Sequence, residues 1–410
     1  MSGDILFLAH RIPFPPDRGD KIRSWNLLRH LARFGTVHLA CFADDAEDKA
    51  HLEPLRAALG GALGEALIAT RPRSVTRALT SLVSGKPLSL RLFESSAMSG
   101  FVKRILRDRP VETIYAFSGQ MAQFVPSGAR PRFLMDFADV DSAKFGDYVA
   151  ASNWPLSWLY RREERLLAAY ERETALRADA SFFVSEAEAA LFRGRSGVSA
   201  GVVALGNGVD LEYYDPDASF ARLDPDDMGS GPLIVFTGQM DYRPNVEAVT
   251  AFASEAMPVI RAALPEACFA IVGRNPVASV RKLDGHGGVR VTGSVPDVRS
   301  WLVAADVVVA PLLIARGIQN KVLEAMAMAR PIVASSTAFE GIEAKAGKHL
   351  LVADGSSAQA LAVLGLIEDK RAASAMGTKA RRLVQETYSW DARLSPLRDL
   401  LGSVPRKAAA

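Results

Sequence analysis

Residues 305–342 read ADVVVAPLLIARGIQNKVLEAMAMARPIVASSTAFEGI. Val307 to Leu313 is an apolar, largely β-branched run, the pattern of a strand buried on both faces of a parallel sheet. A glycine loop follows at Arg316-Gly317-Ile318, then a helix whose apolar face is Val322, Leu323, Ala325, Met326 and Ala329. Pro331 stops that helix, and Ile332-Val333-Ala334 begins another buried strand. In such a strand–turn–helix–strand unit the backbone N–H groups of Gly317, Ile318 and Gln319 lie free at the helix start, between Arg316 and Asn320. A helix N-terminus of this kind binds anions, phosphates above all. Lys321, in the first turn, adds a full positive charge, and Glu324 lies three residues on, on the same edge. A cation for phosphate and a carboxylate for a hydroxyl pair suit a sugar nucleotide.

At 410 residues the chain has room for two or three domains. Its composition, 49% apolar and 23% charged, is that of a globular protein, and no window of eighteen apolar residues marks a membrane span. The chain enters the strand Asp4 to Ala9 with no signal-peptide pattern ahead of it, which implies a cytoplasmic protein. Cys41 and Cys268 sit in apolar runs and read as core residues in a reducing compartment. The six histidines form no HxxxH or HxH pair, so a zinc site is not expected. Net charge is only +3 and no nucleic acid is expected as a partner, yet the charge is unevenly spread. Arg71, Arg73, Arg77, Lys86, Arg91, Lys103, Arg104, Arg107 and Arg109 face only Glu94 and Asp108 over residues 71–109. A basic amphipathic segment suits an anionic membrane surface or a polyanionic acceptor, and equally a solvated helix face.

Along the chain, strands read at Asp4 to Ala9, Val37 to Phe42, Thr113 to Phe117, Phe133 to Phe137 and Ala180 to Val184. Residues 45–109 read as helical, and a long helix spans about Pro155 to Arg177. Ser185 with Glu188 three residues on reads as a capping box. Residues 215–231, rich in Asp, Pro and Gly, read as linker. The alternation then restarts with strands at Leu233 to Gly238, Cys268 to Gly273 and Val289 to Thr292, with a helix from Val246. Asp139 and Asp141 form a DxD pair, but two carboxylates supply few of the oxygen ligands a metal needs, and no metal is expected. Gly19 closes a proline-rich loop before the first helix, where a plain turn also explains it.

Leu323-Glu324-Ala325-Met326-Ala327 with Pro331-Ile332-Val333-Ala334 resembles the signature of the family 4 retaining glycosyltransferases, whose fold is GT-B. The second glutamate of that signature falls on Glu324, while the first falls on Arg316, so half of the signature is missing. Gly206-Asn207-Gly208-Val209-Asp210 followed by Tyr213-Tyr214 is similar to the segment by which the family passes between domains. The resemblance implies an α/β GT-B architecture: two doubly wound Rossmann-like domains facing across a cleft. Residues 1–212, with a returning helix at 388–410, would form the acceptor side, and 213–387 would hold the nucleotide sugar.

Lys321 and Arg243 would meet the donor diphosphate, and Glu324 the ribose. Gly317, Ile318, Gln319, Asn320, Arg316, Gln239, Arg274, Val295 and Gly19 would complete the donor contacts, with the backbone at Ser294 and Val295 facing the base. The family often carries His-Asp after the strand matching Phe133 to Phe137; here Ala138 and Asp139 stand there, so the acceptor role falls to Asp139 or Asp141. The opening FLAHRIPFPPDRGDKIRSWNLLRHLARFGTVHLACF resembles bacterial transferases of exopolysaccharide and exosortase systems. That implies a polyprenyl-diphosphate-linked glycan acceptor at the inner face of the plasma membrane, with no cofactor beyond the nucleotide-sugar donor. A nucleotide-sugar epimerase of the same fold, or a non-catalytic sugar-nucleotide binder, are the competing readings.

Overall fold

Two separate parallel sheets, of seven and six strands, organise the chain. The computed structural model describes residues 3–71, 85–150, 152–224, 229–315 and 318–403. Backbone contacts divide it into one unit of Met1–Asn207 with Arg393–Ala410 and a second of Gly208–Ala392.

The first unit contains β1 (Asp4–Ala9), α1 (Gly19–Leu31), β2 (Val37–Ala43), β3 (Leu63–Thr70), α2 (Ser96–Asp108), β4 (Val111–Phe117) and β5 (Arg132–Ala138). After these come α3 (Asp141–Ala150), α4 (Leu156–Arg177), β6 (Ala180–Phe183), α5 (Glu186–Ser196) and β7 (Val202–Ala204). The sheet order is β3-β2-β1-β4-β5-β6-β7. Every residue of β2 is buried, as is β1 from Ile5 onward, because helices cover both faces of such a sheet.

One expectation fails here. The segment 45–109 is not helical throughout, because β3 lies within it, paired with β2 from Val37↔Leu63 to Ala43↔Thr70. Its sequence, LGEALIAT, is built largely of helix-forming residues, and its edge position leaves most of it half-buried. Tertiary pairing overrides propensity, and Gly64 shows how. A side chain there would lie 2.8 Å from the His38 ring, which accepts a hydrogen bond from Glu65 N at 3.0 Å.

The second unit contains β8 (Leu233–Thr237), α6 (Arg243–Ala251), β9 (Cys268–Val272), β10 (Val289–Gly293), β11 (Val307–Ala310), α7 (Asn320–Ala327), β12 (Ile332–Ala334) and β13 (Leu351–Val352). The order is β10-β9-β8-β11-β12-β13. The central strand is shorter than its apolar run suggests, since β11 ends at Ala310 before Pro311. Helix α6 starts at Arg243, three residues earlier than read, with Pro244 in its first turn. Helix α7 ends at Ala327, and Ala329 has left it with φ of 54°. The stretch after Tyr214 is held in place: Arg381 donates to Tyr214 O and Asp215 Oδ1, both at 3.0 Å.

In each sheet the chain direction of winding reverses once, between β1 and β4 and between β8 and β11. Ligands of doubly wound sheets bind at such a reversal, at the carboxyl ends of the strands. Among the described residues no helix is long and apolar enough to cross a membrane.

Candidate donor and acceptor sites

At the reversal in the second unit, two glycines let the strand ends close on one another. A side chain on Gly273 would stand 1.6 Å from Gly238 O. One on Gly238 would stand 2.7 Å from Asn245 Nδ2 and 3.3 Å from Lys321 Nζ. Into that space α6 sends Asn245 and α7 sends Lys321. Asn245 Nδ2 donates to Gln239 O at 2.9 Å, and Lys321 Nζ donates to Asn245 Oδ1 at 2.5 Å. The ammonium also lies 4.3 Å from the centre of the Phe236 ring. Burial lowers the Lys321 pKa to about 8, against the pull of the Glu324 charge. Burial likewise raises the Glu324 carboxyl, opposed by a hydrogen bond from the Tyr214 hydroxyl and by Lys321. Both members of the pair are thus pushed toward neutrality, so a bound anion would gain from a cation whose hydration is already stripped.

Of the residues expected at the donor, Lys321, Glu324, Gln239 and Arg274 gather around these strand ends. The Gln239 amide oxygen accepts from Arg274 Nε at 2.8 Å and from its terminal nitrogen. Gln319 caps α7, its carbonyl accepting from Val322 N at 3.0 Å, and Asn320 is the exposed first helical residue. Ile318 packs half-buried on the core. Arg316 and Gly317 lie outside the described residues. Arg243 opens α6 with its exposed guanidinium turned to Glu247 at 2.7 Å. Val295 lines a separate depression of about 510 Å³ with Arg222, Thr292, Asp297 and Trp301. Sequence reading missed Asn245 and Phe236 altogether, and the contact of Tyr214 with Glu324. An asparagine in a turn and a phenylalanine in a strand carry no signal of where they point, although Tyr214 was flagged as the aromatic after Asn207-Gly208-Val209-Asp210.

In the first unit, Asp139 and Asp141 are joined by one cation: Lys144 Nζ lies 2.9 Å from the former and 3.1 Å from the latter. Despite burial, the two carboxylates hold the Lys144 pKa well above its ordinary value. The loop carrying them is tightly held. Ala138 has φ of 63°, an uncommon left-handed conformation for a residue with a side chain. Its N–H donates to Asp136 Oδ1 at 3.0 Å, and Val140 N donates to Glu188 Oε2 at 2.8 Å. Ser142 donates from N at 3.0 Å and from Oγ at 2.6 Å to Glu171. The expected capping box is therefore only half present: Ser185 Oγ accepts from Glu188 N, but the Glu188 carboxylate serves this loop instead.

Behind the loop, buried Asp136 accepts from Tyr115 Oη at 2.8 Å and from Arg23 Nη2 at 2.9 Å. Arg23 Nη1 reaches Asn207 Oδ1 at 2.8 Å. A further charged group, missed in the sequence, stands at the end of β1. His10 Nε2 lies 3.2 Å from Asp20 Oδ2, and Arg11 bridges Asp20 and Asp44. Burial would raise the Asp20 carboxyl, yet His10 and Arg11 hold it far below its ordinary value. The His10 ring lies 5.5 Å from that of Phe117 at the end of β4, with Nδ1 buried and without a hydrogen-bond partner among the described residues. Gly19 opens α1, and among the described residues a side chain there would meet nothing within 4 Å. Of the basic residues in 71–109, Arg73 and Arg77 lie outside the described residues. Arg71, Lys86, Arg91, Arg104, Arg107 and Arg109 each pair with a carboxylate.

The two sheets and their helices define the GT-B class of glycosyltransferase fold. Across solved structures, the Anabaena HepE protein in complex with UDP aligns at a TM-score of 0.64 with 15% identity, covering 98% of this chain and 100% of that one. The sucrose-phosphate synthase of Thermosynechococcus elongatus aligns at 0.62 with 17% identity, covering 97% and 98%. Residues 231–369 match the family described as Glycosyl transferases group 1.

Among characterised proteins, the GDP-mannose-dependent alpha-(1-6)-phosphatidylinositol monomannoside mannosyltransferase of Mycolicibacterium smegmatis is 29% identical over 250 residues. That alignment covers 56% of this chain and 64% of the relative. The phosphatidyl-myo-inositol mannosyltransferase of Propionibacterium freudenreichii is 32% identical over 163 residues, 39% of each chain. The chain thus spans under two thirds of the length of these relatives.

Proposed function

We propose that the chain is a glycosyltransferase that moves a sugar from a nucleoside diphosphate sugar to a hydroxyl of a lipid-linked acceptor. The observation that carries this reading is the enclosed Lys321 ammonium beside Asn245 and Glu324, at the strand reversal of a unit matching group 1 glycosyltransferases. As the glycosidic bond breaks, negative charge grows on the leaving diphosphate. Lys321 and the start of α7 meet that charge, with Arg243 available once it leaves Glu247, and the reading requires no metal or cofactor. Glu324, steadied by Tyr214, accepts hydrogen bonds from the ribose hydroxyls. Asp139 and Asp141 stand on the acceptor side, and retention of configuration follows from the family resemblance.

The Mycolicibacterium smegmatis relative is named for GDP-mannose and both relatives for phosphatidylinositol-based lipids, so GDP-mannose is the first donor to test. The opening segment's resemblance points to a polyprenyl-diphosphate glycan of exopolysaccharide synthesis as acceptor, made at the inner face of the plasma membrane. Calorimetry with GDP, UDP and their sugars, followed by transfer assays with and without lipid acceptor, tests the reading. Turnover of donor to an isomer without acceptor would instead mark an epimerase. Donor binding without transfer to either type of acceptor would mark a non-catalytic binder.

A further inference from the structure

The tip between α3 and α4 exposes more apolar surface than any folding requirement explains. Tyr148 is 51% exposed, Trp154 82%, Leu156 51% and Trp158 55%. Tyr148 belongs to a cluster with Phe145 and Tyr160, their ring centres 5.6 to 6.1 Å apart, at the base of the segment that carries Trp154, Leu156 and Trp158. Large apolar side chains exposed together within eleven residues of one helix–helix tip mark an interaction surface.

The neighbouring charge says what the surface meets. Arg161 and Arg165 follow Trp158 at i+3 and i+7, so the three share a face of α4. Both arginines are exposed, and neither has a carboxylate partner among the described residues. The nearby acids are already engaged: Glu163 with Arg162 at 2.6 Å and Leu88 N at 2.7 Å, Glu164 with Arg195 at 2.8 Å. Trp158, Arg161, Arg162, Arg165 and Arg195 also line an open depression of about 720 Å³.

We propose that this tip docks the protein on an anionic lipid bilayer, with Trp154, Leu156 and Trp158 in the headgroup region and Arg161 and Arg165 on lipid phosphates. Tryptophan and tyrosine favour that interface, and a cation held there gains from the negative surface. The cations of residues 86–109, which apart from Lys103 are held by carboxylates, are poorer candidates for the same task. The inference deepens the proposed lipid-linked acceptor by naming a surface that meets the membrane, yet its test needs no nucleotide and no turnover.

The probe is vesicles of phosphatidylcholine with and without phosphatidylglycerol, in co-sedimentation and tryptophan emission. The wild-type chain is expected to bind the anionic vesicles, with a blue shift, and to bind neutral ones at least tenfold more weakly. Trp154→Ala with Trp158→Ala should weaken binding at least tenfold, and Arg161→Glu with Arg165→Glu should remove the preference for anionic lipid. All these side chains are solvent-exposed, so unchanged melting curves are expected, and quenching of wild-type tryptophan by brominated lipid tests insertion without any substitution. Absence of wild-type binding, or variants that bind like wild type, would overturn the proposal. So would a dimer that the tryptophan substitutions dissociate without changing lipid binding, since that would make a second copy the occupant.

Discussion

Lys321 Nζ and Asn245 Oδ1 lie 2.5 Å apart, joining the first turn of α7 to that of α6 beneath the ends of β8 and β9. The amide carries no charge, so the lysine is oriented without being neutralised, and burial leaves its pKa at about 8. Diphosphate binding stabilises the charged form and takes up a proton above that pH. Nucleotide affinity should therefore be level below pH 8 and fall above it, by about tenfold per unit at most, until the pKa of the bound lysine is reached. Lys321→Met should bind weakly with a flat profile, which calorimetry between pH 7 and 9.5 reads directly.

Glu171 gives a stability prediction of definite sign. Burial raises its carboxyl to about 7, against the two hydrogen bonds from Ser142, whereas the unfolded chain titrates near 4.5. The folded state binds the extra proton between those values, so stability falls as pH rises from about 4.5 to 7. The group's contribution over that range is roughly 3 kcal/mol. Glu171→Gln should flatten that part of the urea-denaturation profile between pH 5 and 7.5.

Asp136 is fully buried and Arg23 nearly so, and each is the other's counter-charge. Asp136→Ala leaves the guanidinium unpaired and should cost about 3–5 kcal/mol in denaturant titration. Replacing both, as Arg23→Met with Asp136→Leu, should recover part of that loss.

Two glycines separate packing from ligand contact. Gly273→Ala places a methyl against Gly238 O and should destabilise by more than about 2 kcal/mol. Gly19→Ala meets nothing within 4 Å among the described residues and should change stability by no more than about 0.5 kcal/mol. A loss of transfer in Gly19→Ala with melting unchanged would place a ligand against α1.

Much of the framework was readable because buried parallel strands leave unmistakable apolar runs. Val307–Ala310 and Ile332–Ala334, bracketing the helix of Lys321 and Glu324, announced both the winding and the helix start. The edge strand Leu63–Thr70 was not readable, since its half-exposed residues favour helix until β2 pairs with them. The site divided along similar lines. Charged residues at a helix start are visible in sequence, whereas Asn245, Phe236 and Tyr214 matter through where three distant segments bring them. The His10, Arg11, Asp20 and Asp44 group was invisible for the same reason: its members span two strand ends and one helix start.

The most direct test of the account is calorimetric titration of the wild-type chain and of Glu324→Ala with GDP, UDP, GDP-mannose and UDP-glucose. The account predicts micromolar binding of one nucleotide and its sugar, weakened at least tenfold in the variant while its fold is retained. Absence of binding by every nucleotide to a folded wild-type chain would contradict it.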